Sequence, residues 1–228
     1  MTAIFAHRGL HSTHRENTVE AFRAAIGVGV DGVELDVRRC RDGELVVHHD
    51  PRIDGRAIAE LRRGDLPRYV PSLETALDAC AGARVNVEVK NLRDGEEASY
   101  DPTGDFARAV VEAVGAARRS SEVIYSSFDF ATCVALATAG PSPVGWLLDV
   151  DVDPTAAVDR ASGAALAALN PYVGVVDGPL VARARAAGLG LNVWTVNAPA
   201  DLASMFELAV DVVITDDPVL ALALRPRS

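Results

Sequence analysis

The chain has 228 residues and a formal net charge of −10 at pH 7, with 32 acidic and 22 basic side chains. A chain this acidic lacks the broad basic surface that binds nucleic acid or an anionic membrane, so we expect any phosphate to be bound locally. Its three cysteines are far apart in sequence, which argues against a zinc ribbon or a disulfide framework and indicates reduced, buried thiols. With 49% hydrophobic residues, the chain has the composition of a globular protein.

The length and the absence of a linker predict one domain over residues 1–228. No apolar run approaches the roughly 20 residues of a membrane span, and the N-terminus lacks the apolar stretch of a signal peptide. We therefore expect a cytoplasmic protein without stable membrane insertion.

Short β-branched runs alternate with Ala-rich helical stretches along the whole chain, which is typical of βα units around a parallel sheet. The predicted strands cover residues 4–8, 32–37 (continuing after a turn into 45–49), 84–90, 123–128, 144–148, 166–169, 191–196 and 210–215. The predicted helices include residues 17–28, 73–81, 105–117, 130–139, 179–187 and 199–208. Thr18 and Ser72 are expected to cap helices, and eight such units indicate an α/β fold of the (β/α)8 type.

Two of the predicted strands carry acidic residues on one face. Side chains alternate along a strand, so Glu34 and Asp36 share a face, as do Glu88 and Lys90 in the next predicted barrel strand. The aliphatic residues between them are expected to pack under the helices, which directs these four polar side chains into the barrel. Buried carboxylates are costly unless a partner compensates their charge.

Three carboxylates against one lysine leave an excess of negative charge that a divalent cation can neutralise. Oxygen ligands suit Mg²⁺ or Ca²⁺ better than a soft metal, so we expect Glu34, Asp36 and Glu88 to form a site for one such ion. The alternative is a salt-bridge network around Lys90.

Two histidines end predicted strands, His7 in the first and His49 in the arm after the second. Histidine exchanges protons near neutral pH, so two of them beside a phosphate could divide the acid and base roles. His48 alternates to the opposite face, so we expect only His49 of this pair to reach the centre. Arg8 adds a fork of donors for phosphate oxygens. The alternative for either histidine is a packed or surface position.

Taken together, these motifs resemble the glycerophosphodiester phosphodiesterase family. They occur in its order and approximate spacing: His7-Arg8-Gly9, Glu16-Asn17-Thr18, Glu34-x-Asp36, His49-Asp50 and Glu88-x-Lys90. The resemblance extends over nearly the whole chain through less specific segments at Ser127-Phe128, Trp194-Thr195-Val196-Asn197 and Thr215-Asp216-Asp217-Pro218.

The resemblance implies a single (β/α)8 TIM barrel that hydrolyses glycerophosphodiesters to glycerol 3-phosphate and an alcohol with a divalent cation. By position, it implies that Glu34, Asp36 and Glu88 bind the metal. It further implies that His7 and His49 are the acid/base pair and that Arg8 and Lys90 hold the phosphate.

The resemblance also implies supporting roles for three further residues. Glu16 and Asn17 correspond to a pair that supports the first loop from behind the metal ligands, with a cap on the first helix as the alternative. Trp194 is implied to line the substrate pocket, with plain core filling as the alternative.

The chain departs from the family after His49-Asp50, because the family's Leu-x-Arg-Thr-Thr element is missing. Residues 51–70 lead quickly into the next helix, so we expect the insertion beside the active site to be shortened and the barrel to stay intact. The polar stretch 93–105 follows the third barrel strand and is expected at the catalytic face, where it could form a lid.

Three rival interpretations of function remain open at this stage. The motifs specify phosphodiester chemistry and not the leaving group, so a lysophospholipid or a glycerophosphoinositol is an alternative substrate. A lysophospholipid needs an apolar groove at the barrel mouth, and the sequence shows no concentration of exposed aromatic residues that would provide one. A non-catalytic barrel that binds phosphorylated ligands is the third possibility, although it would have no need for both histidines and all three carboxylates.

Overall fold

Eight parallel strands close into a barrel in the computed structural model, which describes residues 1–92, 100–119 and 122–226. The strands in chain order are β1 Ala3–Ala6, β2 Gly32–Arg39, β3 Leu45–Val47, β4 Arg52–Ile53, β5 Arg56–Ala57, β6 Arg84–Val89, β7 Val123–Ser127, β8 Val144–Leu147, β9 Ala168–Asn170, β10 Gly190–Val193 and β11 Val212–Thr215. Three of them, β3, β4 and β5, lie outside the barrel wall. The predicted α/β class and TIM-barrel fold are confirmed.

The barrel closes through the first strand, which pairs in parallel with both the second and the last. Ala3 of β1 lies opposite Val212 of β11, and Phe5 lies opposite Gly32 of β2. The two ends of the chain therefore meet in one seam of the wall.

Eight helices surround the strands in the described part of the chain: α1 Val19–Gly27, α2 Leu73–Ala79, α3 Asp105–Ala116, α4 Phe130–Ala139, α5 Pro154–Gly163, α6 Gly178–Ala186, α7 Pro199–Glu207 and α8 Pro218–Leu224. Thr18 and Ser72 cap α1 and α2 as expected, because each side chain accepts a backbone N–H of the first turn. Each of these helices is too short or too polar to span a lipid bilayer.

Aliphatic side chains of β2 and β6 fill the layer between the strands and the helices. Val33, Leu35 and Val37 are fully buried there, together with Val85 and Val87 of the neighbouring strand. Burying a side chain of this size stabilises the fold by about 1.5–3 kcal/mol. Because these aliphatic side chains occupy the outer face of each strand, the residues between them point into the barrel.

The shortened segment after His49 forms a small extension with a core of its own. It contains the β4–β5 hairpin and two short 3-10 turns, and it packs against the turn end of the β2–β3 hairpin, where the Arg41 N–H donates to the Leu61 carbonyl. The buried residues of this second core are Cys40, Val46, Ile53, Ile58, Leu61, Leu66 and Val70.

The polar stretch 93–105 is described only from Tyr100 onward, so the predicted lid falls mainly outside the described residues. The described end is fixed by Asn91, whose side chain donates to the Asp101 carbonyl and accepts the Asp101 N–H. The Asp101 carboxylate in turn accepts the N–H of Phe106 at 2.6 Å, in the first turn of α3.

Candidate active site

Three carboxylates meet inside the barrel near the carboxyl ends of β2 and β6. The register places Glu34 opposite Asn86 and Asp36 opposite Glu88 on the neighbouring strand. Glu34, Asp36 and Glu88 are at most 7% exposed, and each offers an oxygen within 4.8 Å of the others. The alternation of the two strands thus converges these groups as the sequence predicted.

Glu34 has one oxygen without a partner among the described residues. Glu34 Oε2 accepts the backbone N–H of Arg8 at 3.0 Å, but no described group donates a hydrogen bond to Glu34 Oε1. Burial, and then the charges of Asp36 and Glu88, raise the pKa of Glu34 well above its ordinary value. A buried oxygen of this kind fits a hard divalent cation, which supplies the missing partner.

Lys90 neutralises part of this negative charge. Its Nζ lies 2.8 Å from Glu88 Oε1 and 3.4 Å from Asp36 Oδ1. Burial alone would lower the pKa of Lys90, but the two carboxylates outweigh it and raise the pKa. The alternative of a closed salt-bridge network therefore accounts for Glu88 and Asp36 and leaves Glu34 uncompensated.

The loop after β1 brings Arg8 against the same carboxylates. Strand β1 ends at Ala6, so the predicted extension to residue 8 is wrong: Arg8 adopts a φ of 54°, which an extended strand does not allow. Its Nε lies 3.4 Å from Asp36 Oδ2, and its Nη1 lies 3.0 Å from Glu16 Oε2. Gly9 follows with a φ of 83°, where a Cβ would meet the backbone of Ala21 at 2.7 Å.

Asn17 and Glu16 contact the site and do not cap α1. The Asn17 side chain donates to Asp36 Oδ2 at 2.7 Å, while Glu16 pairs with Arg8. The capping role belongs to Thr18. Asn17 contacts the Asp36 carboxylate directly and Glu16 reaches it through Arg8, which is the supporting arrangement that the resemblance implied.

His7 and His49 both line the pocket above the carboxylates, whereas His48 does not. His7 directs Nε2 toward Glu34 Oε2 at 3.8 Å, and its Nδ1 lies 2.7 Å from Asp216 Oδ1. His49 lies two residues beyond the end of β3, with Nδ1 2.8 Å from Asp50 Oδ1.

A buried arginine that the sequence analysis passed over holds the backbone of His49. Arg38 is 5% exposed, and its Nε donates to the His49 carbonyl at 2.8 Å. Its Nη2 donates to the same carbonyl. Arg38 follows Glu34 and Asp36 at the same period of two along β2, and this spacing is the signal that could have predicted its inward position.

The pocket has a volume of about 160 Å³ and a lining of both polar and apolar residues, contributed by both halves of the chain. The polar lining residues are His7, Arg8, Glu34, His49, Asn86, Glu88, Lys90 and Thr195, and the apolar ones are Phe128, Leu147, Trp194 and Ile214.

Trp194 belongs to an aromatic group that the sequence did not reveal. Its indole Nε1 donates to the Asn170 carbonyl at 2.7 Å, and its ring contacts Phe128 edge-to-face at a centroid distance of 5.4 Å. Tyr172, which is 38% exposed, adds a third ring 5.8 Å from Trp194. The three rings follow different strands and meet only in the closed barrel. Phe128 and Trp194 are half-buried there, so the absence of a groove of exposed aromatic residues stays a prediction.

The fold and this pocket define an enzyme of the (β/α)8 class, with its reactive groups at the carboxyl ends of the strands. A sequence model of the glycerophosphoryl diester phosphodiesterase family matches residues 7–57 and 56–220. The chain belongs to this family, and the expected enzyme class is confirmed. The two matched segments meet at Arg56–Ala57, within the part predicted to be shortened.

Individual relatives agree with this assignment. A glycerophosphodiester phosphodiesterase of Caldanaerobacter subterraneus is 28% identical, with 95% of each chain covered. The structure of a glycerophosphodiester phosphodiesterase from Thermotoga maritima is 26% identical, covers 99% of both chains and superposes with a TM-score of 0.82. An Oleispira antarctica phosphodiesterase, solved with the product sn-glycerol-3-phosphate, shares the fold at 21% identity, a TM-score of 0.84 and coverage of 98% of this chain and 96% of that one.

Proposed function

We propose that this protein hydrolyses glycerophosphodiesters to glycerol 3-phosphate and an alcohol, with one divalent cation and the histidines His7 and His49 as the acid/base pair. The observation that carries the proposal is the shared pocket. Two histidines, two buried carboxylates and two basic side chains line the same cavity, and Asp36 lies directly beside them.

Glu34, Asp36 and Glu88 would hold the cation, either Mg²⁺ or Ca²⁺, through their carboxylate oxygens. The buried Glu34 Oε1, to which no described group donates a hydrogen bond, supports this assignment. When bound, a cation of this kind stabilises the negative charge that develops on phosphate oxygens. Arg8 and Lys90 contribute positive charge at the same place, and they bind and orient the phosphate.

The two histidines divide the proton transfers. One removes a proton from the nucleophile, and the other protonates the leaving oxygen of the alcohol. The nucleophile is either water or the 2-hydroxyl of the glycerol, and the second route passes through a cyclic phosphate. Positioned acid/base groups of this type contribute roughly 10²- to 10⁴-fold each.

The comparisons support glycerol 3-phosphate as the product. The Caldanaerobacter and Thermotoga relatives carry the name of this activity, and the Oleispira protein holds sn-glycerol-3-phosphate. Phe128 and Trp194 give a specific reason to test a lysophospholipid as well, because both rings line the pocket and provide apolar surface there.

The test is release of glycerol 3-phosphate from a substrate panel. Protein with Mg²⁺, with Ca²⁺ or with EDTA is incubated with glycerophosphocholine, glycerophosphoethanolamine, glycerophosphoglycerol, glycerophosphoinositol and a lysophospholipid. Phosphorus NMR follows the reaction and detects any cyclic phosphate. We expect metal-dependent release from at least one glycerophosphodiester. Full activity in EDTA contradicts the metal role, and no release from any diester contradicts the activity.

A further inference from the structure

Asp216 contacts His7 from the side away from the pocket, and the proposed reaction gives this residue no role. It follows β11, while His7 follows β1, and the pairing of these two strands brings them together. Asp216 Oδ1 lies 2.7 Å from His7 Nδ1 and 2.9 Å from Nε2 of His11. An ionised carboxylate only accepts hydrogen bonds, so both ring nitrogens must donate to it.

The carboxylate is itself fixed by Asn197. The Asn197 amide donates to Asp216 Oδ2 at 2.6 Å, and its oxygen accepts the backbone N–H of Asp216 at 2.9 Å. The same oxygen accepts the hydroxyl of Thr215 at 3.2 Å. Burial alone would raise the pKa of Asp216, but hydrogen bonds from His7 and His11 outweigh it and lower the pKa, so the group stays ionised.

We propose that Asp216 is a positioning residue that holds the proton of neutral His7 on Nδ1 and thereby leaves Nε2 as the atom that exchanges a proton with the substrate. The catalytic consequence rests on the proposed function, whereas the tautomer does not. Nε2 is the ring nitrogen that faces the pocket, 3.8 Å from Glu34 Oε2.

The other pocket histidine has a weaker version of the same contact. His49 Nδ1 lies 2.8 Å from Asp50, but the Asp50 side chain is 71% exposed, whereas that of Asp216 is 36% exposed. Solvent competes with an exposed pair, and such pairs contribute little. Asp50→Asn is therefore the matched comparison for Asp216→Asn.

The rival interpretation of this cluster is a second metal site, because His7, His11 and Asp216 each offer a ligand atom within 4.8 Å of the others. In the structure these atoms are already joined to one another by hydrogen bonds. We therefore favour a role in holding the His7 proton on Nδ1, and metal titration tests the alternative.

Nitrogen-15 NMR of the five histidines reads the tautomer directly, with the His7 signals assigned by a His7→Gln variant. Spectra are recorded at increasing pH until the rings are neutral. We expect His7 of the wild type to carry its proton on Nδ1, and Asp216→Ala to lose this preference. A wild-type His7 protonated mainly on Nε2, or an Asp216→Ala spectrum unchanged from the wild type, overturns the proposal.

Kinetics provide the second measurement. We expect Asp216→Asn to lower kcat by about 10²-fold or more with little change in KM, because a misplaced proton affects the transition state more than substrate binding. Asp50→Asn should lower kcat by less. Circular dichroism and Mg²⁺ titration verify that the variants are folded. An unchanged kcat in folded Asp216→Asn overturns the catalytic consequence.

The remaining outcomes separate this inference from the proposed function. If the wild type hydrolyses no diester but its His7 tautomer depends on Asp216, the proposed function fails and the placement of the proton stands. If Mn²⁺ or Zn²⁺ titration shows a second equivalent that Asp216→Ala and His11→Ala both remove, the cluster is a metal site and the positioning role is wrong.

Discussion

Glu34 is the residue whose environment most clearly requires a further partner. Its Oε1 is buried and receives no hydrogen bond from the described residues. The side chains of Arg8 and Lys90 form their ion pairs with Asp36 and Glu88 instead. We therefore expect calorimetric titration of Mg²⁺ or Ca²⁺ to show one site in the wild type. Binding should be lost or severely weakened in Glu34→Gln, Asp36→Asn and Glu88→Gln. Undiminished affinity in folded variants would remove the metal from the proposal.

The adjacent residues His48 and His49 allow a direct comparison of effects on turnover, because their surroundings differ. His49 lines the pocket, whereas the backbone N–H of His48 donates to the Asp36 carbonyl and its ring does not line the pocket. We expect His7→Ala and His49→Ala to lower turnover by orders of magnitude and His48→Ala to have a small effect. An essential His48 with a dispensable His49 would contradict the assignment of faces.

The double variant tests whether the two histidines serve one transition state. Residues that act as a unit are strongly non-additive, so the variant lacking both His7 and His49 should be scarcely slower than the poorer single variant. Turnover rates measured at saturating substrate decide this, and multiplicative losses would indicate independent roles.

For individual residues, the alternation of side chains along β2 and β6 was enough to predict which carboxylates converge. It could not reveal Asp216 as the partner of His7, because 209 residues separate them and only barrel closure makes the contact. Arg38 was not predicted for a different reason. The prediction for β2 rested on the negative charge of its inward-facing residues, and it gave no role to an arginine on the same strand.

The β2–β3 hairpin is the element that carries His49 to the pocket. Arg38 of β2 lies opposite Val46 of β3 and donates to the His49 carbonyl. Strand β2 therefore holds the residues that follow β3. Removing these donors leaves a part-buried carbonyl without them, which costs up to about 1–3 kcal/mol, and the backbone of His49 is then less firmly held.

We expect Arg38→Met to lower kcat by about 10- to 100-fold while metal affinity is retained, since small displacements of a catalytic group have effects of this size. Arg39→Met is the matched control, because Arg39 lies on the same strand but pairs with Asp101 at 3.7 Å. Thermal unfolding measures the loss of stability in both. Equal kcat in the two variants would show that Arg38 does not position His49.

The helices illustrate which elements a sequence predicts well. Long Ala-rich stretches with clear caps were predicted close to their observed bounds, whereas α5 and α8 were not named. Both begin with an aspartate cap and a proline, at Asp153-Pro154 and Asp217-Pro218, which is a start signal that was available.

For the whole molecule, the short extension after His49 has a direct consequence for selectivity. Its residues pack into their own small core, and the lining of the described pocket includes none between residues 50 and 85. This extension then adds few contacts to the part of the substrate farthest from the phosphate.

We expect modest discrimination among glycerophosphocholine, glycerophosphoethanolamine and glycerophosphoglycerol. Ratios of kcat/KM should lie within about 10- to 100-fold, equivalent to roughly 1.4–2.8 kcal/mol in transition-state binding. Initial rates with each diester at matched metal concentration give these ratios. A preference above about a thousandfold would show that the mouth of the barrel is more selective than this architecture suggests.

The seam between β1 and β11 also bears on how the protein is made. A ribosome delivers β1 first and β11 last, so for most of synthesis both edges of the growing sheet have unpaired N–H and C=O groups. Chains that stop early lack the last strand, and they also lack the aspartate that contacts His7. Truncated products should therefore be inactive and prone to aggregate, which makes completion of the chain a condition for both solubility and activity.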